Sequence, residues 1–233
     1  MATTPRGANT ARARVWQAGV RLFAARGFHG TGIRDLAVEA GLSSASLYHY
    51  MGSKEDLLVD IMMESLQRLL ATGRELIDEA SSPPEAIARL VQLHVVTHAL
   101  LPEQTTVVDN EIRALSPTGR EKVVDLRDQY EALWAGVIDD GHAQAIFTVE
   151  HPGIVRLGLL ELCTGVAHWY TPEGPLSLAE VTQAHVRLAS AMLGISTTGG
   201  TTPAQSVPPL EPVLSRAREV WRLEVPLPSP GTV

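Results

Sequence analysis

Two short helical patterns separated by a glycine constrain the fold of this chain more than any other feature of its sequence. The apolar residues of the first pattern are Ile33, Leu36, Ala37 and Ala40. Their three- and four-residue spacing places them on one face of a helix. Gly41 follows the last of them, where a helix commonly ends in a left-handed residue that glycine adopts without steric cost. The sequence therefore predicts that one helix stops at Gly41 and that the chain turns there.

A second short helix is predicted from about Ser44 to Tyr50, with Ser43 or Ser44 as its N-cap. Leu47 and Tyr50 are three residues apart and are expected to face inward together. Thr31 is the predicted N-cap of the preceding helix. A helix, a turn containing glycine and a second helix form the helix-turn-helix pattern.

The outward face of the second helix carries small or hydrogen-bonding side chains. They are Ser44, Ala45, Ser46, Tyr48 and His49. Such groups can enter a major groove and reach base edges and phosphates. The second helix is therefore a candidate recognition helix.

Residues 10–64 resemble the DNA-binding domain of the TetR-type one-component transcriptional regulators. The resemblance rests on RLFAARGFHGTGIRDLA and EAGLSSASLYHYMGSKEDLL, with Phe23 and Phe28 around Gly27. Met51 and Gly52 depart from the usual aromatic and charged residues of the family, and they bear on stability more than on DNA reading. The resemblance implies operator DNA as a partner, and the expected contact residues are Thr31, Ser43, Ser44, Ala45, Ser46, Tyr48, His49 and Lys54.

Composition favours an all-α fold. Hydrophobic residues make up 45% of the 233 residues and aromatic residues only 5%, and no long run alternates β-branched residues. The single cysteine, Cys163, excludes an intramolecular disulfide framework and a cysteine-rich zinc site. No uninterrupted apolar stretch approaches the length of a membrane span. We expect a cytoplasmic protein without metal or cofactor.

The charge of the chain is divided unevenly along its length. Residues 1–54 contain seven basic and two acidic residues, a net charge of +5. The remaining residues contain twelve basic and 24 acidic residues, a net charge of -12, which brings the whole chain to -7. A basic N-terminal segment suits binding to phosphates, and the alternative is a solvated charged surface, which the helix-turn-helix pattern disfavours.

Helical patterns continue to residue 193, and the clearest break among them is SSPP at residues 81–84. The other predicted helices cover 10–26, 53–80, 85–101, 103–115, 118–142, 153–170 and 178–193. The resemblance implies an N-terminal three-helix domain over 1–52 and a helical ligand-binding and dimerisation domain over 53–195. It also implies that 153–170 and 178–193 form a four-helix bundle between two protomers. A homodimer could read a palindromic operator, because its two recognition helices lie about 34 Å apart.

Residues 196–233 form a predicted linker and a short C-terminal tail. Gly, Pro, Ser and Thr dominate 196–212 and cannot pack a core. A short helix is predicted over 213–225, with Val213, Val220, Trp221 and Leu223 as anchors. The sequence leaves open whether this tail docks on the body, docks on a partner subunit or is disordered, and Trp221 favours docking.

Histidines on one helix face are the first candidate effector-binding residues. His94 and His98 are four residues apart and could share a metal, but HVVTH lacks the glutamate of the HExxH protease motif. A position in the core or in a pocket wall is the favoured interpretation. Tyr130 and Trp134 have the same spacing, and Arg113 lies in a moderately apolar helix, where a pocket group and a solvated face are equally compatible.

The segment HWYTPEGPLSLAEV, residues 168–181, resembles a stretch of TetR-type regulators of fatty-acid and sterol breakdown, whose inducers are acyl-CoA thioesters. That resemblance implies that Trp169 and Tyr170 line an apolar pocket and that Arg113 or Arg156 meets phosphate. The structural alternative is a helix end packed by aromatic residues. We therefore expect a repressor that a small hydrophobic ligand releases, with an acyl-CoA among the candidates. The alternatives are a drug-like or aromatic effector, a helical enzyme using His94 and His98, and an interaction protein with a vestigial DNA-binding domain.

Overall fold

The computed structural model describes residues 6–195 and 207–222, and for residues 6–10 it describes the backbone alone. Both ranges are helical and contain no strand, which confirms the all-α prediction. The helices are α1 (Arg6–Gly30), α2 (Ile33–Ala40), α3 (Ser44–Met51), α4 (Lys54–Asp78), α5 (Pro83–Leu100), α6 (Pro102–Asn110), α7 (Pro117–Ala143), α8 (Pro152–Thr164), α9 (Val166–Trp169), α10 (Leu178–Met192) and α11 (Glu211–Trp221). In these two ranges, no helix combines the length and the apolar character needed to cross a membrane.

The chain forms two compact units. The first unit contains Met1–Leu70 and Leu101–Glu131, and the second contains Ala71–Leu100 and Ala132–Val233. The boundaries between the units fall inside α4, between α5 and α6, and inside α7. The domain limits at 52 and 195, which the family resemblance implies, separate a DNA-binding domain from a ligand-binding domain, and they stay a prediction.

In the first unit, α1 packs against α2, α3 and α6. Its predicted stripe is buried and includes Val15, Ala18 and Phe23. The helical assignment continues past the predicted end to Gly30, but Gly27 interrupts it with φ 72° and ψ 163°. A buried hydrogen bond of 2.7 Å from Gln104 Nε2 to Ser65 Oγ joins α6 to α4. The N-terminal helices therefore share one unit with the segment 101–131.

Two predicted helices are broken in the structure. The helix predicted over 103–115 ends at Asn110 and continues as a 3₁₀ helix, Glu111–Ala114. Leu115 is then extended, and the proline at 117 restricts the residue before it to extended conformations. The helix predicted over 153–170 is divided into α8 and α9 at Gly165. Both breaks depend on backbone geometry that apolar spacing does not reveal.

In the second unit, α5 is the central helix and packs against α8, α9, α10 and α11. Every residue from 91 to 99 is buried. A helix that is buried on all sides lies inside a core rather than on a surface. The side chains of α5 therefore point into the core of this unit, where they would contact a ligand bound inside it.

The tail helix α11 docks on the body of the same chain. Val213, Ala217 and Trp221 are buried, and Gln92 Nε2 on α5 donates a 2.7 Å hydrogen bond to the carbonyl of Pro208. The guanidinium of Arg216 forms ion pairs with Glu75 of α4 and with Glu79, the first residue after that helix. The predicted anchor Val220 is half-buried. The predicted linker at 196–206 and the anchor Leu223 lie outside the described residues.

Candidate functional site

The first helix of the helix-turn-helix, α2, has the predicted bounds, and Gly41 ends it at φ 64°. The predicted N-cap is wrong, because Gly32 occupies that position and Asp35 Oδ2 accepts the Gly32 amide at 3.2 Å. The hydroxyl of Thr31 instead donates to the carbonyls of Leu22 and Gly27 at 3.1 and 2.9 Å. Since Thr31 is buried, its side chain stabilises the end of α1 and is not presented to DNA.

The second helix, α3, begins after Ser43, whose hydroxyl accepts the amide of Ser46 at 3.2 Å. This confirms one of the two predicted caps. Leu47 is buried as predicted, and Tyr50 is half-buried. Met51 takes the second inward position, four residues after Leu47. That spacing aligns the two side chains on the face that α1 and α2 cover.

The remaining face of α3 presents the predicted contact residues. Ala45, Ser46, Tyr48 and His49 are exposed, and Ser44 is half-buried. Tyr48 is the largest of them, with half of its surface, 50%, exposed. Tyrosine is enriched at interfaces, because its ring supplies apolar contact and its hydroxyl supplies a hydrogen bond. This face can offer hydrogen bonds and apolar contact together, as base edges and sugars require.

Lys54, the first residue of α4, uses its ammonium group inside the protein. Its Nζ donates to the carbonyls of Phe28 and Thr31 at 2.7 and 2.9 Å and lies 4.2 Å from the centre of the Phe28 ring. An ammonium group has three donors, and two of them are used here. The Lys54 ammonium group, a predicted phosphate contact, therefore binds two backbone carbonyls of its own chain and has one donor left.

The arginines of the first unit are divided between internal pairs and open surface. Arg21 pairs with Glu39 at 2.8 Å, and Arg26 Nη1 lies 3.7 Å from Asp35. All four side chains in these pairs are substantially exposed, so each pair is worth about 0 to 1 kcal/mol and can be exchanged for a phosphate. Arg34 is exposed and makes no ion pair with the described residues. The basic charge around α2 and α3 is therefore available to an anion.

A stacked pair of histidines lies in the core of the second unit. The rings of His94 and His98 on α5 are parallel within 8° and 4.1 Å apart. Trp134 of α7 meets His94 edge-on at 5.9 Å, and Thr164 Oγ1 lies 3.0 Å from His94 Nε2. His98 Nδ1 must donate to the carbonyl of His94 at 2.8 Å, because a carbonyl oxygen only accepts. In the neutral ring this leaves Nε2 of His98 as the acceptor nitrogen.

The histidine cluster offers hydrogen-bonding groups in an apolar surrounding. Among residues 6–195 and 207–222, no group of three or more His, Cys, Asp or Glu side chains is placed to hold a metal ion. Burial raises the pKa of the Cys163 thiol, so the nucleophilic thiolate is disfavoured. Buried imidazoles beside a tryptophan can instead donate or accept hydrogen bonds to an apolar ligand that carries a few polar atoms.

The other predicted effector residues are placed as follows. Trp169 is exposed and stacks on His185 of α10 with ring centres 6.1 Å apart. Burial raises the pKa of the Tyr170 hydroxyl, and Arg156 is half-buried on α8. Arg113 and Tyr130 belong to the first unit, where Arg113 is exposed on the 3₁₀ helix and Tyr130 is buried. The structure thus brings together His94, His98 and Trp134, and it adds Thr164 and His185, which the sequence analysis missed because their partners are distant in the chain.

Comparison with sequence families identifies the chain. The model described as "Bacterial regulatory proteins, tetR family" matches residues 16–61, and the model described as "Tetracyclin repressor-like, C-terminal domain" matches residues 80–193. The chain belongs to the TetR family. It is a ligand-responsive, DNA-binding transcriptional repressor and not an enzyme.

Individual members of the TetR family are similar to this chain in sequence and in fold. The HTH-type transcriptional repressor KstR2 of Mycolicibacterium smegmatis is 28% identical over 199 residues, which cover 84% of this chain and 96% of the relative. The fatty acid metabolism regulator protein of Bacillus subtilis is 24% identical over 124 residues, covering 53% of this chain and 64% of the relative. The structure of the ketosteroid transcriptional regulator KstR2 of Mycobacterium tuberculosis superimposes with a TM-score of 0.70 at 25% identity, covering 78% of this chain and 93% of that one.

Proposed function

We propose that this repressor binds a palindromic operator as a homodimer and is released when a small hydrophobic effector, first of all an acyl-CoA thioester, enters the second unit. The exposed face of α3 supports the DNA contact, and the buried histidine cluster on α5 supports the effector site. The operator lies on the chromosome, so the proposal places the protein in the cytoplasm. For release to occur, the effector must bind more tightly to the conformation that does not hold DNA. By linkage, operator DNA weakens effector binding by the same factor by which the effector weakens DNA binding.

An exposed apolar face supports the homodimer. Ile154 and Leu157 of α8 are 68% and 52% exposed, and Leu188 and Met192 of α10 are 49% and 38% exposed. The two helices pack against each other, and the methyl group of Met192 lies against Gly158. Large apolar side chains exposed together on two packed helices mark an association surface, and a second copy of the chain offers the matching face. This face lies in the segments predicted for dimerisation, 153–170 and 178–193.

The expected DNA contacts are Ser43, Ser44, Ala45, Ser46, Tyr48 and His49, together with Lys54, whose ammonium group has a third donor for a phosphate. We expect Tyr48→Ala to weaken operator binding at least tenfold, because a base or phosphate contact of ~1 to 3 kcal/mol is lost in each protomer. The affinity is measured by fluorescence anisotropy with labelled operator DNA at fixed salt.

Two variants show whether that loss belongs to the tyrosine on α3. Tyr48→Phe removes only the hydroxyl and is expected to lose part of the affinity. Val124→Ala truncates an exposed apolar residue of α7 in the same unit and is expected to bind as the wild type does. Unchanged affinity of Tyr48→Ala would remove α3 from the interface.

The interior of the second unit supports a hydrophobic effector with a few polar groups. Within the buried stretch of α5, the polar residues are Gln92, His94, Thr97 and His98. The Thr97 hydroxyl donates to backbone carbonyls of its own helix, whereas the His94 ring faces Trp134 and Thr164 and the His98 ring stacks on His94. The names of the relatives point to lipid-like molecules, since they describe a ketosteroid regulator and a fatty acid metabolism regulator. Trp169, Tyr170 and Arg156 remain the proposed contacts towards the acyl chain and the phosphates, and Arg113 and Tyr130 remain candidates.

A panel of ligands tests the effector class. We expect long-chain or ring-bearing CoA thioesters to release the operator at micromolar concentration, and the corresponding free acids to have little effect because they lack the phosphates. Release is followed by anisotropy, and binding by calorimetry without DNA. If drug-like or aromatic compounds release the operator and no thioester does, the alternative effector class replaces the acyl-CoA.

A further inference from the structure

Charged side chains hold the peptide groups of Phe28 from both sides. Glu111 Oε2, on the 3₁₀ helix, accepts the Phe28 amide at 3.0 Å although the two residues are 83 positions apart. Lys54 Nζ donates to the Phe28 carbonyl at 2.7 Å. Hydrogen bonds with a charged partner are stronger than those between neutral groups. The backbone on either side of Phe28 is therefore fixed by two groups that come from later parts of the chain.

The hydrogen bond between Glu111 and the Phe28 amide lies at the point where the chain leaves α1 for the helix-turn-helix. Gly27, immediately before Phe28, interrupts α1 with a positive φ, and residues 27–32 form the connection between the part of α1 before this interruption and α2. Glu111 also lies against Gly27, because a Cβ placed there would be 3.5 Å from Glu111 Oε1. The conformation of this connection sets the direction in which α2 and α3 leave α1. A small rotation of the Phe28 peptide would displace α3, whose contacts with bases demand accurate placement.

A second carboxylate attaches the same segment to the N-terminal helices. Glu55 Oε1 on α4 accepts the amide of Ser116 at 2.7 Å, directly after the 3₁₀ helix. Hydrogen bonds from Ser116 lower the pKa of Glu55. Residues 111–116 are thus tied to the start of α4 and to the connection after α1.

We propose that Glu111 is a positioning residue for operator recognition, acting through the Phe28 amide on the placement of α3. Glu111 lies outside the N-terminal family match at 16–61 and inside the C-terminal match at 80–193. The DNA-binding unit of this chain is therefore completed by a residue of its C-terminal family domain. This inference rests on operator binding through α3.

Electrostatics and positioning predict opposite results for the loss of this carboxylate. Removing a negative charge close to the basic N-terminal helices strengthens the attraction to DNA phosphates, which dominate non-specific binding. Loss of a positioning contact weakens specific binding, because each misplaced side chain loses its base contact. The ratio of operator affinity to non-specific affinity therefore separates the two effects.

The test compares Glu111→Ala, Glu111→Gln and the control Glu121→Ala. Glu121 is an exposed carboxylate of α7 in the same unit, so its removal changes the charge equally. Anisotropy with operator and with scrambled DNA, well below the melting temperature and with the dimer verified by light scattering, gives both affinities. We expect Glu111→Ala to bind the operator about tenfold more weakly, with unchanged or tighter binding to scrambled DNA. Glu111→Gln keeps an acceptor for the Phe28 amide and is expected to stay within about twofold of the wild type.

Other results overturn the inference. If Glu111→Ala matches Glu121→Ala in both affinities, the carboxylate does not position α3, and operator binding by the wild type still stands. Equal losses in Glu111→Ala and Glu111→Gln contradict the inference, because Gln keeps an acceptor for the Phe28 amide. If the wild type itself fails to prefer the operator, the proposed function fails first. Should Glu111→Ala melt too low for the assay, Glu111→Asp, which withdraws the carboxylate by one methylene, takes its place with the same expected direction.

Discussion

Leu157→Asp combined with Leu188→Asp is expected to convert the protein to a monomer and to weaken operator binding at least a hundredfold. Both leucines belong to the exposed apolar face of α8 and α10. A carboxylate enclosed between two such faces loses its hydration without a partner, which costs several kcal/mol for each charge. The monomer keeps its fold because both positions are about half exposed. A monomer binds one half-site and loses the gain in affinity that comes from two linked heads. Light scattering gives the mass, and anisotropy gives the affinity.

Val124→Asp is the control for the dimer prediction. Val124 is an exposed apolar residue of α7 that belongs to the first unit. Its replacement adds one carboxylate outside the proposed interface and is expected to leave the mass unchanged. A double aspartate variant that remains dimeric would show that the two protomers meet elsewhere.

Two glycines of α7 are expected to respond in opposite directions when alanine replaces them. Gly141 is buried, and a Cβ at this position would lie 2.2 Å from Cδ2 of Phe147. Phe147 is itself buried, and its amide donates to the Gly141 carbonyl at 3.0 Å, so the ring cannot move away cheaply. We expect Gly141→Ala to lower the free energy of unfolding by about 2 to 4 kcal/mol through overpacking and displacement of the ring.

Gly136→Ala is the matched substitution on the same helix. A Cβ at Gly136 has no heavy atom within 4 Å, and the residue is exposed. Alanine restricts the unfolded chain and favours the helix, so we expect the free energy of unfolding to rise by about 0.5 to 1 kcal/mol. Urea unfolding at one protein concentration compares both variants, since dimerisation makes stability depend on concentration. Equal effects of the two substitutions would contradict the contact with Phe147.

Local sequence predicted those parts of the DNA-binding site that neighbouring residues determine. The bounds of α2 follow from its apolar spacing and from Gly41, and the Ser43 cap of α3 depends on an amide three residues away. The outward face of α3 follows from the same helical spacing. The tail helix also follows from the sequence, whereas its docking on the body follows only from the structure, in which Trp221 is buried.

Interactions between distant residues could not be predicted in the same way. A threonine before a short helix usually caps it, but the Thr31 hydroxyl finds carbonyls at the end of α1. A lysine in a basic segment suggests a phosphate contact, but Lys54 meets two backbone carbonyls 23 and 26 residues away. The partners of His94 and of Glu111 are 70 and 83 residues away, so no local pattern contained them.

The sequence by itself determined that the chain is helical, that it carries a helix-turn-helix, and which face of α3 is available to DNA. These properties depend on spacing within a turn or two of helix, where each residue's neighbours are set by the chain itself. Only the tertiary structure decided which polar groups are used inside the protein, since a hydrogen bond goes to whichever acceptor the folded chain brings within about 3 Å. It also revealed that residues 101–131 share a unit with the N-terminal helices and supply Glu111 to the connection after α1.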